Sequence, residues 1–64
     1  MNTMLENFIN GNLSTARKQA KRHSLSAIRA ALMVDYGYSA EKAALTAAYL
    51  KGNRDAWQAA CDAQ

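Results

Sequence analysis

The chain has 64 residues, half of them hydrophobic, and a formal net charge of +3 from eight basic and five acidic side chains. A chain of this length forms one domain, residues 1–64, and folding buries only about 60% of the surface that the unfolded chain exposes. Cys61 is the only cysteine, which excludes an internal disulfide. Stability must therefore come from regular helix packing or from self-association.

Several classes of function are not supported by the residues present. No run approaches the roughly 18 apolar residues of a membrane span, and the first residues lack the basic-then-apolar order of a secretion signal. His23 and Cys61 lack the paired spacing of zinc ligands, and the chain shows neither a paired nucleophile and base nor a glycine-rich phosphate loop. We expect a cytoplasmic protein that is not an enzyme and that uses no metal, cofactor or membrane.

The composition predicts an all-α fold. Proline is absent, and the many alanine, leucine, lysine and glutamine residues favour helix throughout. Gly11, Gly37 and Gly52 each follow a stretch of helical character and so divide the chain into segments. We expect three or four helices in a small bundle that is completed by dimerisation.

The first segment predicts a short helix over about residues 3–10. Thr3 and Glu6 have the spacing of a capping box, in which each side chain satisfies a backbone N–H. The apolar side chains that follow lie on one side of this helix, so that side must be covered by the rest of the protein.

The second segment predicts one long helix over residues 13–36, roughly 35 Å in length. One side of this helix is basic in its first half and apolar in its second half, so we expect the second half to be embedded. The alternative is a break between His23 and Ser26, since Ser24 and Ser26 are both suitable N-caps.

Basic side chains are concentrated in this segment. Like charges four residues apart cost an isolated helix a few tenths of a kcal/mol for each pair. Phosphate groups of nucleic acid or an acidic protein surface would offset that cost. The alternative is an ordinary solvated face whose aliphatic stems cover alanines. The candidate residues for binding phosphate or an acidic partner are Arg17, Lys18, Lys21, Arg22 and Arg29.

The third segment predicts a helix over residues 40–51 with Ser39 as its N-cap. It is apolar nearly all round, so it should be surrounded, and a chain this short has few residues left to enclose it. We therefore expect a homo-oligomer, a dimer in the simplest case. The predicted interface consists of Leu25, Ile28, Leu32, Leu45, Tyr49, Leu50 and Trp57.

The last segment predicts a helix over about residues 54–63 with Asn53 as its N-cap. The spacing of Tyr36, Tyr38, Tyr49 and Trp57 allows them to cluster around the turns at Gly37 and Gly52. Such a cluster belongs either to the core or to an exposed patch at an interface.

Residues 32–43 resemble the centre of a helix-turn-helix motif. Gly37 stands in the turn between Tyr36 and Tyr38, and Ser39 caps the helix that follows. The resemblance implies DNA binding, with the basic segment on the phosphates. Met33 departs from the motif, which places a small residue there. Plain helix packing around a glycine turn is the alternative.

Two functions are consistent with these features. The first is a small regulatory or adaptor protein, of the kind found among phage and plasmid accessory proteins, that self-associates and binds another protein. The second is a DNA-binding transcriptional regulator of helix-turn-helix type that uses the basic segment 17–29.

Overall fold

The computed structural model describes residues 2–64 and is all-helical over that range. Five helices follow one another along the chain: α1 (Asn2–Ile9), α2 (Leu13–Ala20), α3 (Leu25–Tyr36), α4 (Ala40–Lys51) and α5 (Arg54–Asp62). The predicted all-α class is confirmed, but the predicted number of three or four helices is wrong. Among the described residues, none of the helices has the length and apolar character that crossing a bilayer requires.

The extra helix arises because the predicted helix over residues 13–36 is broken. α2 ends at Ala20 and α3 begins at Leu25, with Ser24 in extended conformation between them. The Ser24 hydroxyl accepts a hydrogen bond of 3.1 Å from the Ala27 N–H, so it caps α3. An unbroken helix of about 35 Å would also exceed the longest dimension of the molecule, which is 29 Å.

Lys51 stabilises this break from the far end of α4. Its ammonium group donates hydrogen bonds to the carbonyl oxygens of Ala20, at 3.1 Å, and His23, at 2.5 Å. These carbonyls lie at and just beyond the end of α2, and the Ala20 carbonyl also accepts a hydrogen bond of 3.1 Å from the His23 N–H. One partly buried cation thus ties the turn between α2 and α3 to the end of α4.

The other helix ends follow the sequence pattern. Ser39 and Asn53 cap α4 and α5 by accepting hydrogen bonds from Lys42 and Ala56. Gly37 and Gly52 end α3 and α4 with φ angles of 69° and 65°, a left-handed conformation that costs other residues free energy. α1 begins at Asn2, so Thr3 is its second residue and not the predicted N-cap.

Helix α4 lies at the centre of the fold, in contact with α2, α3 and α5. Ala43, Ala47, Ala48 and Leu50 are all buried. Ala44 and Leu45 are half-buried and Tyr49 is 42% exposed, so the chain encloses this helix only in part. The buried alanines let its neighbours approach closely. That the chain dimerises stays a prediction.

The core combines a few large side chains with these alanines. The large, fully buried residues come from α1, α3 and α4, and the alanines from α2 and α4. Helix α5 packs on α4 without burying any residue completely, so most of its residues are exposed. The large core residues are Met4, Leu5, Ile28, Leu32 and Leu50.

Leu32 and Val34 lie on the same helix and provide a matched test of this core. Leu32 is fully buried, whereas Val34 is 82% exposed. We expect Leu32→Ala to lower the free energy of unfolding by about 2–5 kcal/mol because it leaves a cavity. Val34→Ala should change it by no more than about 0.5 kcal/mol. Urea unfolding followed by circular dichroism measures both.

A small domain can lose its fold entirely with Leu32→Ala, so a milder variant accompanies it. Ile28→Val removes a single methyl group from a fully buried site and should cost about 0.5–1.5 kcal/mol. Equal stability of the Leu32→Ala and Val34→Ala proteins would contradict the placement of α3.

Candidate binding surface

Two large aromatic side chains lie together on the surface where α4 meets α5. The ring centroids of Tyr49 and Trp57 are 6.2 Å apart with an angle of 54° between the ring planes. Tyr49 belongs to the last turn of α4 and Trp57 to the first turns of α5, and the turn at Gly52 and Asn53 brings them together. Each is 42% exposed, so this pair presents apolar surface to solvent.

The pair separates two adjoining depressions. The first lies between α2, α4 and the start of α5, and the second lies between α1, α4 and α5; Tyr49 and Trp57 line both. Together they form what we call the aromatic surface. Its residues are Phe8, Arg17, Lys42, Leu45, Thr46, Ala48, Tyr49, Gly52, Asn53, Arg54, Trp57 and Gln58.

Arg17 is fixed on one wall of this surface by two contacts with Tyr49. Its guanidinium carbon lies 4.6 Å from the centroid of the Tyr49 ring, a cation–π distance. Its Nη2 donates a hydrogen bond of 3.3 Å to the Tyr49 carbonyl oxygen. These contacts give Arg17 a local partner that offsets its like-charge neighbours on α2, and they leave further N–H groups of its guanidinium for a ligand.

The aromatic surface has positive charge and no negative charge among its lining residues. Arg17 and Arg54 line the first depression and Lys42 the second, and neither depression is lined by a carboxylate. The Lys42 ammonium lies 4.4 Å from the centroid of the Tyr38 ring, a cation–π distance. This surface therefore combines an apolar floor with cations at its edges.

The structure separates the five basic residues singled out from the sequence. Arg17 belongs to the aromatic surface, whereas Arg29 lines a different depression, between α3, α4 and α5, together with Leu25 and several alanines. Lys18, Lys21 and Arg22 are exposed on α2 and on the turn after it, outside both depressions of the aromatic surface. The basic segment is thus divided between several surfaces.

The seven residues predicted to form a dimer interface are also divided. Ile28, Leu32 and Leu50 are at most 1% exposed and pack inside the single chain, so their assignment to an interface is corrected. Hydrophobic spacing places a residue on an apolar face but does not tell which neighbour covers that face. The four that retain accessible surface are Leu25, Leu45, Tyr49 and Trp57.

The predicted aromatic cluster forms only in part. Tyr36 and Tyr38 are half-buried against the core, while Tyr49 and Trp57 form the exposed pair. Sequence reasoning did not single out Arg54 for this surface. Its spacing of three residues from Trp57 was the available signal, because residues three apart lie on the same side of a helix.

The remaining reactive side chains do not converge on the aromatic surface. Over residues 2–64, no group of three or more His, Cys, Asp or Glu side chains has the arrangement of a metal site. The Cys61 thiol is exposed on α5, and His23 is half-buried in the turn after α2.

A double-mutant cycle tests the contact between Arg17 and the Tyr49 ring. Combining Arg17→Met with Tyr49→Leu should reveal a coupling free energy of about 0.5–1 kcal/mol in urea unfolding. The hydrogen bond to the Tyr49 carbonyl is present with either residue at position 49, so it cancels in the cycle. Lys18→Met combined with Tyr49→Leu is the matched control. Equal coupling in the two cycles would show that the guanidinium does not rest on the ring.

Comparison with known proteins gives no match for this chain among protein-family models, curated proteins or solved structures.

Proposed function

We propose that this chain is a small, non-enzymatic regulatory or adaptor protein that binds a partner protein through the aromatic surface. The observation that carries this proposal is the pair Tyr49 and Trp57, each 42% exposed in a chain whose core closes without them. Tyrosine, tryptophan and arginine are the residues that most often supply the binding energy of protein interfaces. Here all three types line one depression.

The alternative function, DNA binding by a helix-turn-helix, places α4 in the role of the recognition helix. Such a helix must present one side to the major groove and remain accessible along it. Helix α4 instead contacts three other helices and buries four of its twelve residues. The exposed polar side chains near its start, Glu41 and Lys42, carry no net charge and are poorly suited to reading base edges, which favours protein binding over DNA reading by α4.

The exposed cations on α2 give nucleic acid a separate route. Lys18, Lys21 and Arg22 are exposed, and their side chains donate no hydrogen bond within the described part of the chain. They could neutralise phosphates without any base contact. Nucleic acid is therefore an explicit outcome of the following experiment.

Site-specific crosslinking tests the proposed function. Gln58 lines the first depression and is exposed, so a photo-crosslinking amino acid placed there reaches whatever covers this surface. In a lysate of the source organism, we expect capture of a discrete protein, identified by mass spectrometry. Tyr49→Ala together with Trp57→Ala should abolish its capture, because truncating one central interface residue commonly costs about 2 kcal/mol or more.

The matched control is the same crosslinker combined with Val34→Ala. Val34 is the most exposed large hydrophobic residue and lines none of the depressions described above, so its loss should leave capture unchanged. Circular dichroism of each variant confirms the fold. Capture of nucleic acid alone, or of a protein that the aromatic variants also retain, would contradict the proposed function.

Self-association is the second part of the proposal. A second copy can use Leu25, a residue of the predicted interface that retains accessible surface outside the aromatic surface and lines the depression between α3, α4 and α5. The prediction is a mass of twice 7.0 kDa by light scattering at micromolar concentration. Leu25→Ala should shift the mass towards the monomer, and Cys61→Ser excludes a disulfide between two exposed thiols. A mass of 7.0 kDa at all concentrations would contradict it.

A further inference from the structure

We infer that the partner segment that docks on the aromatic surface is acidic and carries an apolar anchor side chain. This inference rests on the proposed function and specifies the chemistry of the partner. Its basis is the juxtaposition of Arg17 and Arg54 with the exposed Tyr49 and Trp57.

The charge of the lining residues favours an acidic ligand. Arg17 and Arg54 line the first depression, and no carboxylate lines either depression. The Lys42 ammonium lies over the ring of Tyr38, which lines neither of them.

Asp55 and Glu41 are adjacent in sequence to Arg54 and Lys42 but line neither depression, since successive residues on a helix do not face each other. The Asp62 carboxylate lies 2.9 Å from Nε2 of Gln58, which lines the first depression, so two arginines face one nearby carboxylate. The remaining excess of positive charge favours a ligand that brings carboxylates.

Arg17 is already held in position to bind a ligand. Its guanidinium is held over the Tyr49 ring and against the Tyr49 carbonyl oxygen, so less side-chain entropy is lost when it binds a ligand. A guanidinium presents a planar fork of donors that matches a carboxylate. Arg54 at the start of α5 is exposed and lines the same depression, so it supplies a second point for an acidic group.

The apolar side chains of the second depression favour a ligand that carries an apolar side chain of its own. Phe8, Leu45 and Tyr49 line the second depression with Trp57, and this floor is open to solvent. Carboxylates alone would leave it hydrated. A leucine or phenylalanine placed between acidic residues would cover it and remove apolar surface from water. The expected segment thus alternates negative charge with at least one bulky apolar side chain.

Two other occupants fit less well. A nucleobase needs an open aromatic face for stacking, but Arg17 already covers one face of Tyr49, and Trp57 is tilted by 54° from that ring. A second copy of this chain carries a net charge of +3, so it brings like charge to a cationic rim. An acidic protein segment is the occupant that charge and shape both favour.

Trp57 provides the readout, because it is the only tryptophan in the chain and lies in the proposed site. The probe is a synthetic peptide of Asp and Glu residues with two leucines and a phenylalanine, free of tryptophan. Titration with this peptide should change the Trp57 fluorescence with saturation. Two matched peptides complete the set, one with lysine in place of each acidic residue and one with alanine in place of the apolar residues.

We expect the acidic apolar peptide to bind at least about tenfold more tightly than either matched peptide, since both the charges and the anchor contribute. Raising the salt concentration should weaken binding, because exposed charges are screened. Arg54→Gln should weaken it about three- to tenfold, since truncating one charge of an interface pair loses that much affinity or more. Arg22→Gln is the matched control, because Arg22 is exposed but lines neither depression, and it should change the affinity less than twofold.

Equal affinity for the acidic and the lysine peptide, or an Arg54→Gln protein that binds as tightly as the unaltered one, would overturn the inference. So would tighter, Arg54-dependent binding of a single-stranded oligothymidine with the same fluorescence change. The crosslinking experiment distinguishes a failure of this inference from a failure of the proposed function. A partner captured through Gln58 by a neutral or basic segment overturns the acidic assignment alone, whereas capture of no protein overturns the proposed function.

Discussion

Alanines at positions 43, 47 and 48 let three helices pack against α4 in a chain of 64 residues. Larger side chains there would hold the neighbouring helices apart, and so short a chain has little else with which to fill the gap. The same alanines bury little area, so the bulky part of the core comes from five side chains on α1, α3 and α4. Tyr49 and Trp57 stay outside that core, and their exposure follows from the close packing around α4.

The break after α2 depends on the same central helix. A straight helix over residues 13–36 would be too long for the molecule, and folding it back exposes carbonyls at the end of α2. Lys51, in the last turn of α4, supplies the donors for two carbonyls in this region, and the Ser24 hydroxyl supplies the cap on the other side of the turn. Arg17, one turn before the end of α2, then reaches the Tyr49 carbonyl. The α2–α4 contact therefore positions a cation of the basic segment beside the aromatic pair.

Local features of the fold could be predicted from the sequence, and long-range ones could not. Ser39, Asn53, Gly37 and Gly52 mark helix ends through interactions within a few residues, so the starts of α4 and α5 and the ends of α3 and α4 were predictable. The break at Ser24 was only one of two alternatives, because the Lys51 hydrogen bonds that stabilise it join residues 28 and 31 positions apart. The assignment of Ile28, Leu32 and Leu50 to a dimer interface failed for the same reason. Their apolar face was correctly identified, but the neighbour that covers it was not.

Residues of the candidate site could likewise be identified from the sequence, whereas the contacts between them could not. The sequence marked Arg17 as one member of a basic run, and Tyr49 and Trp57 as members of an interface, but it offered no reason to join them. The structure places the Arg17 guanidinium on the Tyr49 ring and leaves Lys18, Lys21 and Arg22 elsewhere. A uniform basic stripe is suited to phosphates along a backbone, which need charge but little shape. A single anchored arginine beside an exposed aromatic pair suits the ligand proposed above, a protein segment that carries both a charge and an apolar side chain.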